Sequence, residues 1–268
     1  MTSRATEAAK IFPEDWYEFA SEDHFWMMWR RAVLERVLAD QNLPLRTPLR
    51  VLDIGCGAGT VQRQIEAMTD WVVDGADLNR AALARNAGTR GRVMEYDIFA
   101  ARPEFVGAYD AVVLFDVLEH IPEDAAFLSA ALAHLRPGGQ VLINVPALGA
   151  LFSTYDRAAG HVRRYDRAGL VELVERAGLV VKDVRFWGLS LLPLAALRKA
   201  LMRHTPPAQV IRQGFQPPGP VSHQILKAIM AAETALIGRP PLGTSLMLVA
   251  TIPASRAASA RLNPPSAL

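Results

Sequence analysis

The stretch VLDIGCGAGT, residues 51–60, combines an acidic residue with three alternating glycines. Gly55, Gly57 and Gly59 would let the chain turn sharply out of a buried strand and bring main-chain N–H groups close to a bound molecule. Asp53 would place a carboxylate beside that bare backbone. The stretch therefore predicts a small-molecule site with a negative charge built into its wall.

The charge of this site discriminates between two classes of nucleotide ligand. The dinucleotide fingerprint needs Gly or Ala where this chain has Thr60, and Asp53 would repel a pyrophosphate. S-adenosylmethionine carries an ammonium and a sulfonium group but no phosphate, so its methionyl half suits the site better. A nicotinamide-dependent reductase remains the competing enzyme class, and it would bind a dinucleotide more tightly than S-adenosylmethionine.

Two further acids follow later apolar runs. Asp77, in VVDGADLN, lies where a carboxylate can accept both ribose hydroxyls. Asp97, in EYDIF, could accept a hydrogen bond from an adenine amino group, with Ile98 packed on the ring. One such aspartate could be only a turn or helix cap. Three acids in this order predict a single adenosine-containing ligand.

The elements that must position these acids alternate between strand-like and helix-like segments. The predicted strands are 49–54, 71–76, 92–96, 111–115 and 140–145, and the predicted helices are 22–39, 60–68, 80–86 and 123–134. A turn is predicted at Arg136–Gly139. Such alternation favours a mostly parallel sheet with helices on both faces and ligands beyond the carboxyl ends of the strands.

Five motifs in this order resemble the class I S-adenosylmethionine-dependent methyltransferases of small-molecule type: VLDIGCGAGT, GADLN, EYDIF, YDAVVLFDVLEHI and LRPGGQVLINVP. The resemblance implies an α/β, doubly wound, Rossmann-like fold with a seven-stranded, mostly parallel sheet and an antiparallel last strand. Residues 180–186 and 245–252 would supply the sixth and seventh strands.

The resemblance also implies roles for individual residues. The cofactor-binding residues it implies are Asp53, Gly55 and Gly57 for the methionyl part, Asp77 and Leu78 for the ribose, Asp97 and Ile98 for the adenine, and Phe115 for the cofactor floor. Arg30 could turn inward toward the cofactor carboxylate or be an ordinary surface arginine, while Arg31 should face solvent. Trp26 is a candidate substrate contact.

The chain is expected to be one methyltransferase domain over residues 1–252. Within it we expect an N-terminal helical lid at 1–48, a cofactor-binding core at 49–146, substrate-side insertions and a Pro-rich connector at 147–243, and the last strand at 244–252. Aromatic residues between Phe12 and Trp29 favour the lid, since such extensions commonly close over the ligands. Residues 253–268 are expected to be a disordered tail.

Methyl transfer needs alignment of the reactants, and a general base increases the rate by about 10²- to 10⁴-fold when the acceptor must lose a proton. His161, in GHVRRY, is the first candidate base and His120, in LEHI, the second. His161 could instead be a surface or capping residue, and His120 could only shape its loop.

The segment GHVRRYDRAGL, residues 160–170, joins this candidate base to a predicted helix capped by Asp166. Arg164 and Tyr165 could bind an acidic group of the substrate, or they could fasten the loop. A subset of the resembled methyltransferases has a similar His-x-Arg-Arg-Tyr segment. That subset is varied in substrate, so the segment names none.

Composition narrows the partners. The net charge of +2 comes from nearly balanced acids and bases, which gives no footprint for nucleic acid. One cysteine excludes an intrachain disulfide and a Cys-based zinc site. Asp116, Glu119 and His120 match no known ligand spacing, so no metal is expected. The acidic N-terminus predicts no signal peptide, and a cytoplasmic location is expected.

An apolar run at 186–203 is too short to span a bilayer and would form a pocket helix or make peripheral membrane contact. The sequence as a whole predicts S-adenosylmethionine-dependent transfer to an O or N atom of a small, partly apolar metabolite or lipid-like acceptor. A protein or peptide methyltransferase and a catalytically idle adenosylmethionine-binding partner protein are the alternatives. The oligomeric state stays open.

Overall fold

The computed structural model describes residues 22–205, 210 and 219–253. Its strands are β1 Arg50–Ile54, β2 Val72–Asp77, β3 Val93–Glu95, β4 Tyr109–Phe115, β5 Leu135–Pro146, β6 Val180–Trp187 and β7 Ser245–Thr251. Its α-helices are α1 Phe25–Asp40, α2 Thr60–Met68, α3 Arg80–Leu83, α4 Asp124–Leu132, α5 Thr154–Ala158, α6 Arg167–Arg176, α7 Leu192–Leu201 and α8 Pro220–Leu236. Short 3-10 turns include Leu118–His120 and Leu189–Leu191.

The strands form one seven-stranded sheet in the order β3-β2-β1-β4-β5-β7-β6. The pairs from β3 to β5 are parallel, whereas β7 runs antiparallel to both β5 and β6. The order runs outward in opposite directions from β1 and β4. Ligands of such sheets bind at the carboxyl ends of the strands where the order reverses, so the loops after β1 and β4 lie at the expected site.

Two apolar layers cover the sheet. One packs α1 and α2 on one face and contains Trp29, Trp71 and Trp187, each almost completely buried. The other contains residues of α4 and α6, including Leu128 and Leu170. The expected N-terminal helix is therefore a core helix along most of its length, since its apolar side chains pack against the strands.

The structure confirms the predicted fold class, including the antiparallel last strand. Most predicted boundaries lie within one or two residues of the observed ones, and three local differences are larger. The helix predicted from Glu22 begins at Phe25, because His24 accepts a hydrogen bond from the Trp26 N–H and acts as its N-cap. The helix predicted over 80–86 ends at Leu83, where the chain turns so that the Asn86 side chain reaches Gln62.

The third difference concerns Arg136–Gly139, which is not a turn outside the sheet. The strand β5 already pairs with β4 at Leu135, opposite Tyr109, and resumes with Gln140 opposite Ala111. The intervening residues form an irregularity within the strand, and Gly138 adopts a φ of 76°. Glycine allows this conformation without a clash at Cβ, which explains why a sequence typical of a turn fits inside a strand.

Several predictions fall on residues outside the described part of the chain. These are the aromatic side chains between Phe12 and Phe19, most of the Pro-rich connector, and the tail beyond residue 253. Among the helices of the described residues, none is both long enough and apolar enough to cross a bilayer.

Candidate active site

A cavity of about 610 Å³ lies at the carboxyl ends of the strands. This volume falls within the roughly 300 to 1,000 Å³ typical of small-molecule sites. One end of the cavity is lined by the glycine loop and by residues that follow β2 and β3. The other end is lined by the turn after β4, by α5 and by α7. Two molecules could therefore meet inside one continuous space.

The glycine loop turns sharply out of β1. Gly55, Gly57 and Gly59 have φ angles of 78°, 53° and 82°, in the left-handed region that favours glycine. The Gly55 N–H donates to the Ala76 carbonyl at 2.7 Å, and the Gly57 N–H donates to the Asp77 carboxylate at 2.8 Å. These bonds fasten the loop to β2, so a ligand would meet a preformed wall.

Asp53 lies beneath this wall. The side chain is almost completely buried, and the next two residues, Ile54 and Gly55, line the cavity in its place. Burial raises the pKa of Asp53 to about 8, with Arg30 opposing the rise. Its Oδ2 atom has no hydrogen-bond partner within the described residues. The carboxyl group therefore does not line the cavity, and a ligand cation close to it would favour its ionised form.

The predicted ribose and adenine residues meet at the same end of the cavity. Asp77, Leu78, Asp97 and Ile98 all line it. The Asp77 carboxylate also accepts the Asn79 N–H at 2.8 Å, and burial raises its pKa. Asp97 accepts the Phe99 N–H at 3.0 Å. Two carboxylates fixed by main-chain bonds, beside a buried isoleucine, suit the hydroxyl groups and the flat ring of an adenosine.

The first turn of α1 closes the middle of the cavity. Arg30 is buried and forms an ion pair with Asp116 at 2.5 Å, which excludes the surface reading of this arginine. Its guanidinium also lies 5.1 Å from the Trp26 ring centroid and 5.5 Å from that of Phe115. Arg30, Trp26 and Phe115 all line the cavity, whereas Arg31 is exposed. A buried cation thus lies where both ends of the cavity join.

The two predicted catalytic histidines meet at the other end. The rings of His120 and His161 lie 4.8 Å apart and face each other edge to plane. His161 Nδ1 lies 3.2 Å from the Asp156 carboxylate, and His120 Nδ1 lies 3.2 Å from the Gly160 carbonyl oxygen. Because both partners are acceptors, each Nδ1 carries a proton and donates it. Burial lowers the pKa of His120 to about 3.

A carboxylate that the sequence did not place beside His161 joins this pair. Glu119 is completely buried, and its carboxylate lies with one nitrogen of each histidine in a group whose atoms are within 4.8 Å of one another. Burial and the nearby Asp116 raise the pKa of Glu119 well above its usual range. The available signal was the position of Glu119-His120 directly after β4, at the reversal point of the sheet.

The Arg-Arg-Tyr segment divides between cavity and scaffold. Arg164 lines the cavity while pairing with Asp156 at 2.7 Å and donating to the Ala147 carbonyl. Tyr165 lies outside the lining, because its hydroxyl donates to Leu118 O and to the Asp124 carboxylate at 2.8 Å. These hydrogen bonds hold the loop in place, while Arg164 also reaches the cavity.

The mouth of the cavity is apolar. Leu194, Leu197 and Leu201 of α7 line it while exposing 50%, 54% and 71% of their surface. On the same helix the Arg198 guanidinium stacks 3.9 Å from the centroid of Tyr155, another cavity residue that sequence analysis missed. The helix thus presents leucines to an entering molecule and keeps a cation at its inner surface.

Comparison with known proteins agrees with this geometry. Residues 26–184 match the family described as a methyltransferase domain. The chain belongs to this family. A protein of Mycolicibacterium smegmatis, named a probable S-adenosylmethionine-dependent methyltransferase, is 32% identical over 66% of this chain and 68% of its own length. A ubiquinone biosynthesis O-methyltransferase of Pseudomonas aeruginosa is 30% identical over 66% of this chain and 86% of its own.

Solved structures support the same fold. Phosphoethanolamine N-methyltransferase 2 of Haemonchus contortus, in a complex with S-adenosylhomocysteine, superposes with a TM-score of 0.52 at 20% identity, over 82% of this chain and 52% of that one. The present chain is a class I methyltransferase with S-adenosylmethionine as its cofactor. This cofactor carries positive charge and no phosphate. It therefore fits the glycine loop in front of Asp53 and the acids Asp77 and Asp97 that follow β2 and β3.

Substitution of Gly55 in the glycine loop by alanine should weaken cofactor binding. A Cβ at Gly55 would lie 2.6 Å from Val117 Cγ2, so Gly55→Ala must displace the turn after β4. We expect at least a tenfold loss in affinity for S-adenosylhomocysteine, measured by calorimetry. Gly107→Ala is the matched control, because Gly107 also has a positive φ of 65° but has nothing within 4 Å of its Cβ. Equal affinity in both variants would contradict a preformed loop.

The Asp53 carboxyl predicts a pH dependence of stability in the absence of ligand. Its folded-state pKa of about 8 lies above the ordinary 3.8, so the folded state keeps a proton that the unfolded state releases. Between pH 4 and 8 the free energy of unfolding should therefore fall relative to Asp53→Asn, by up to about 1.4 kcal/mol per pH unit, and level off above pH 8.

Denaturant titrations of the methyltransferase and of Asp53→Asn across this pH range measure the difference directly. Asp70→Asn, which alters an exposed carboxyl group, supplies the background. If the difference in unfolding free energy between the two proteins stays constant from pH 4 to 8, Asp53 has the same pKa in the folded and the unfolded chain, which would contradict the prediction.

Proposed function

We propose that this methyltransferase transfers the methyl group to a hydroxyl oxygen of a small, partly apolar acceptor. The observation that carries the proposal is the continuous cavity, which runs from the glycine loop to the His120–His161 pair and opens between exposed leucines. The acceptor oxygen would lie at the histidines, and its apolar body would lie along Leu194, Leu197 and Leu201.

We assign the cofactor residues as follows. Gly55 and Gly57 would bind the methionyl part through main-chain groups, while Asp53 would attract its positive charge from below. Asp77 and Leu78 would hold the ribose, Asp97 and Ile98 the adenine, and Phe115 the cofactor floor. Arg30 would meet the cofactor carboxylate, since it lines the same cavity from α1.

The bound cofactor supplies an electrophilic methyl group on its sulfonium. His161 is the better proton acceptor of the pair, because burial lowers the pKa of His120 to about 3. The His161 Nε2 would take the proton of the acceptor hydroxyl, the oxygen would form the C–O bond, and the electron pair of the broken C–S bond would stay on sulfur. Asp156 would hold the ring and stabilise the imidazolium that forms.

Oxygen is favoured over nitrogen by the curated relatives, several of which are named ubiquinone biosynthesis O-methyltransferases. Trp26 and Arg164 would contact the acceptor, since both line the cavity. Tyr165 would act only through the loop that it fastens. We also assign the chain to the His-x-Arg-Arg-Tyr subset. In this chain Arg164 and His161 share the Asp156 carboxylate, through which Arg164 would help to position the histidine.

Transfer of a labelled methyl group tests the proposal. The enzyme would be incubated with labelled cofactor and with hydroxylated aromatic compounds carrying an alkyl chain, their amino analogues, or a peptide pool. We expect label in the hydroxylated compounds, with a lower KM for longer alkyl chains because the cavity mouth is apolar. Label confined to peptides, or cofactor binding without any transfer, would support a peptide methyltransferase or an idle binding protein instead.

The same assay separates His161 from a structural role. His161→Ala should lower kcat by about 10²- to 10⁴-fold. Affinity for S-adenosylhomocysteine should stay within twofold, because the cofactor residues lie at the other end of the cavity. A parallel loss of cofactor affinity would mean that the substitution had disturbed the whole site.

We further propose that α7 makes peripheral contact with membranes that contain a lipid-like acceptor. Its exposed leucines surround the cavity mouth, and Arg203 follows the helix. Leu197→Asp should reduce co-sedimentation with anionic lipid vesicles at least fivefold, because it places a charge on the apolar face. Val106→Asp is the matched control, since Val106 is exposed to the same degree but lies away from the cavity. Equal sedimentation of both variants would restrict α7 to acceptor binding.

A further inference from the structure

The geometry points to a divalent metal site formed by Glu119, His120 and His161, at which the ion would bind the acceptor oxygen. The inference rests on the proposed function and refines one part of it. Sequence spacing predicted no metal, because it joined Glu119 and His120 to Asp116. The third ligand, His161, lies 41 positions beyond His120 and reaches the site only through the fold.

The first argument is the unmet carboxylate. Neither carboxylate oxygen of Glu119 has a hydrogen-bond partner on another residue within the described part of the chain. The one main-chain group that interacts with this carboxylate is the N–H of Glu119 itself. The two neighbouring acids each form an ion pair, Asp116 with Arg30 and Asp156 with Arg164, whereas Glu119 forms no ion pair within the described residues and is affected by Arg164 only through a longer electrostatic interaction. Burying a carboxylate without a partner is costly, whereas a metal ion would supply the missing positive charge.

The second argument is the orientation of the two imidazoles. The Nδ1–H groups of His120 and His161 point at the Gly160 carbonyl and the Asp156 carboxylate. Metal-binding histidines usually donate their second N–H to a carbonyl or carboxylate in this way, which fixes the tautomer and strengthens the ligand nitrogen. In each ring, Nε2 is then the nitrogen that would bind the ion together with Glu119.

The spacing also suits a metal ion. The three ligand atoms lie within 4.8 Å of one another. Ligand bonds of about 2.0 to 2.2 Å require ligand atoms roughly 3 to 4 Å apart, which small side-chain rotations would achieve. Two imidazoles and one carboxylate favour a first-row transition ion such as Zn²⁺, Fe²⁺ or Co²⁺ over Mg²⁺ or Ca²⁺, which prefer oxygen ligands.

Three protein ligands leave coordination positions open toward the cavity, which all three residues line. An acceptor hydroxyl bound there would lose its proton to solvent, because the ion stabilises the oxyanion. Its oxygen would then form the C–O bond as the C–S bond breaks, with no change in the oxidation state of the metal. His161 would hold the ion in this state and would not act as the proton acceptor.

Cobalt titration tests the site without any turnover. The full-length chain, stripped with a chelator that is then removed, would be titrated with Co²⁺ and monitored by visible absorption and calorimetry. We expect one Co²⁺ per chain with ligand-field bands. Glu119→Gln should bind at least about 100-fold more weakly, since it removes a ligand rather than only a supporting residue.

Glu66→Gln is the matched control. Glu66 is also a buried glutamate, but its carboxylate accepts the main-chain N–H groups of Val73, Arg90 and Gly91. Glu66→Gln should keep Co²⁺ affinity and lose stability, whereas Glu119→Gln should lose Co²⁺ affinity and keep the stability of the metal-stripped protein. His161→Ala provides a second ligand variant should either glutamine variant fold poorly.

Two results would overturn the inference: no stoichiometric Co²⁺ or Zn²⁺ binding by the wild-type chain, or equal binding by Glu119→Gln and His161→Ala. Calorimetry with S-adenosylhomocysteine on the same samples separates this failure from failure of the proposed function. Cofactor binding without metal binding would leave methyl transfer standing with His161 as base, whereas loss of cofactor binding would remove the proposed function itself.

Discussion

The parallel pairing of β1 with β4 is the constraint on which the site depends. Val51, Leu52 and Asp53 pair with Ala111, Val112 and Val113, so both strands end at the same edge of the sheet. From there the strand order runs outward on each side, and the following loops separate. The glycine loop and the Asp116–His120 turn border the gap, which holds the cofactor wall and the histidine pair within one cavity.

Buried charge is distributed around this cavity in pairs. Arg30 neutralises Asp116, and Asn144 donates to the same carboxylate at 2.8 Å. Arg164 forms an ion pair with Asp156. Burial alone would raise the pKa of Asp156, but His161 and Arg164 together hold it below its usual range. Loss of one member would leave its partner buried and unpaired, which costs more than the pair itself contributes. These ion pairs fix the positions of the Asp116–His120 turn and of the loop that carries His161.

Much of this arrangement was predictable from sequence because it follows from local pattern. Apolar runs that end near Asp53, Asp77 and Asp97 predicted parallel strands and a ligand site at their carboxyl ends, since parallel strands end at one edge. The acceptor end was less predictable. Tyr155, Glu119 and His161 come from separate elements, and whether a side chain such as Tyr165 faces a cavity or a neighbouring carboxylate depends on packing that spacing does not encode. The position of Asp53 could not be predicted for the same reason. Its spacing from the glycines suggested a carboxylate at the cavity, but packing places the carboxyl group beneath the cavity wall.

The position of β7 has a consequence for how the chain reaches this state. The strand β7 is the last of the seven in sequence but lies inside the sheet. Among the strands of the described residues, β7 is the only one that pairs with β6. Until residues 245–251 leave the ribosome, β5 has one open edge and β6 has no place in the sheet. The cofactor half can therefore assemble earlier during synthesis, whereas the acceptor half closes only after residues 245–251 have been made and have inserted between β5 and β6.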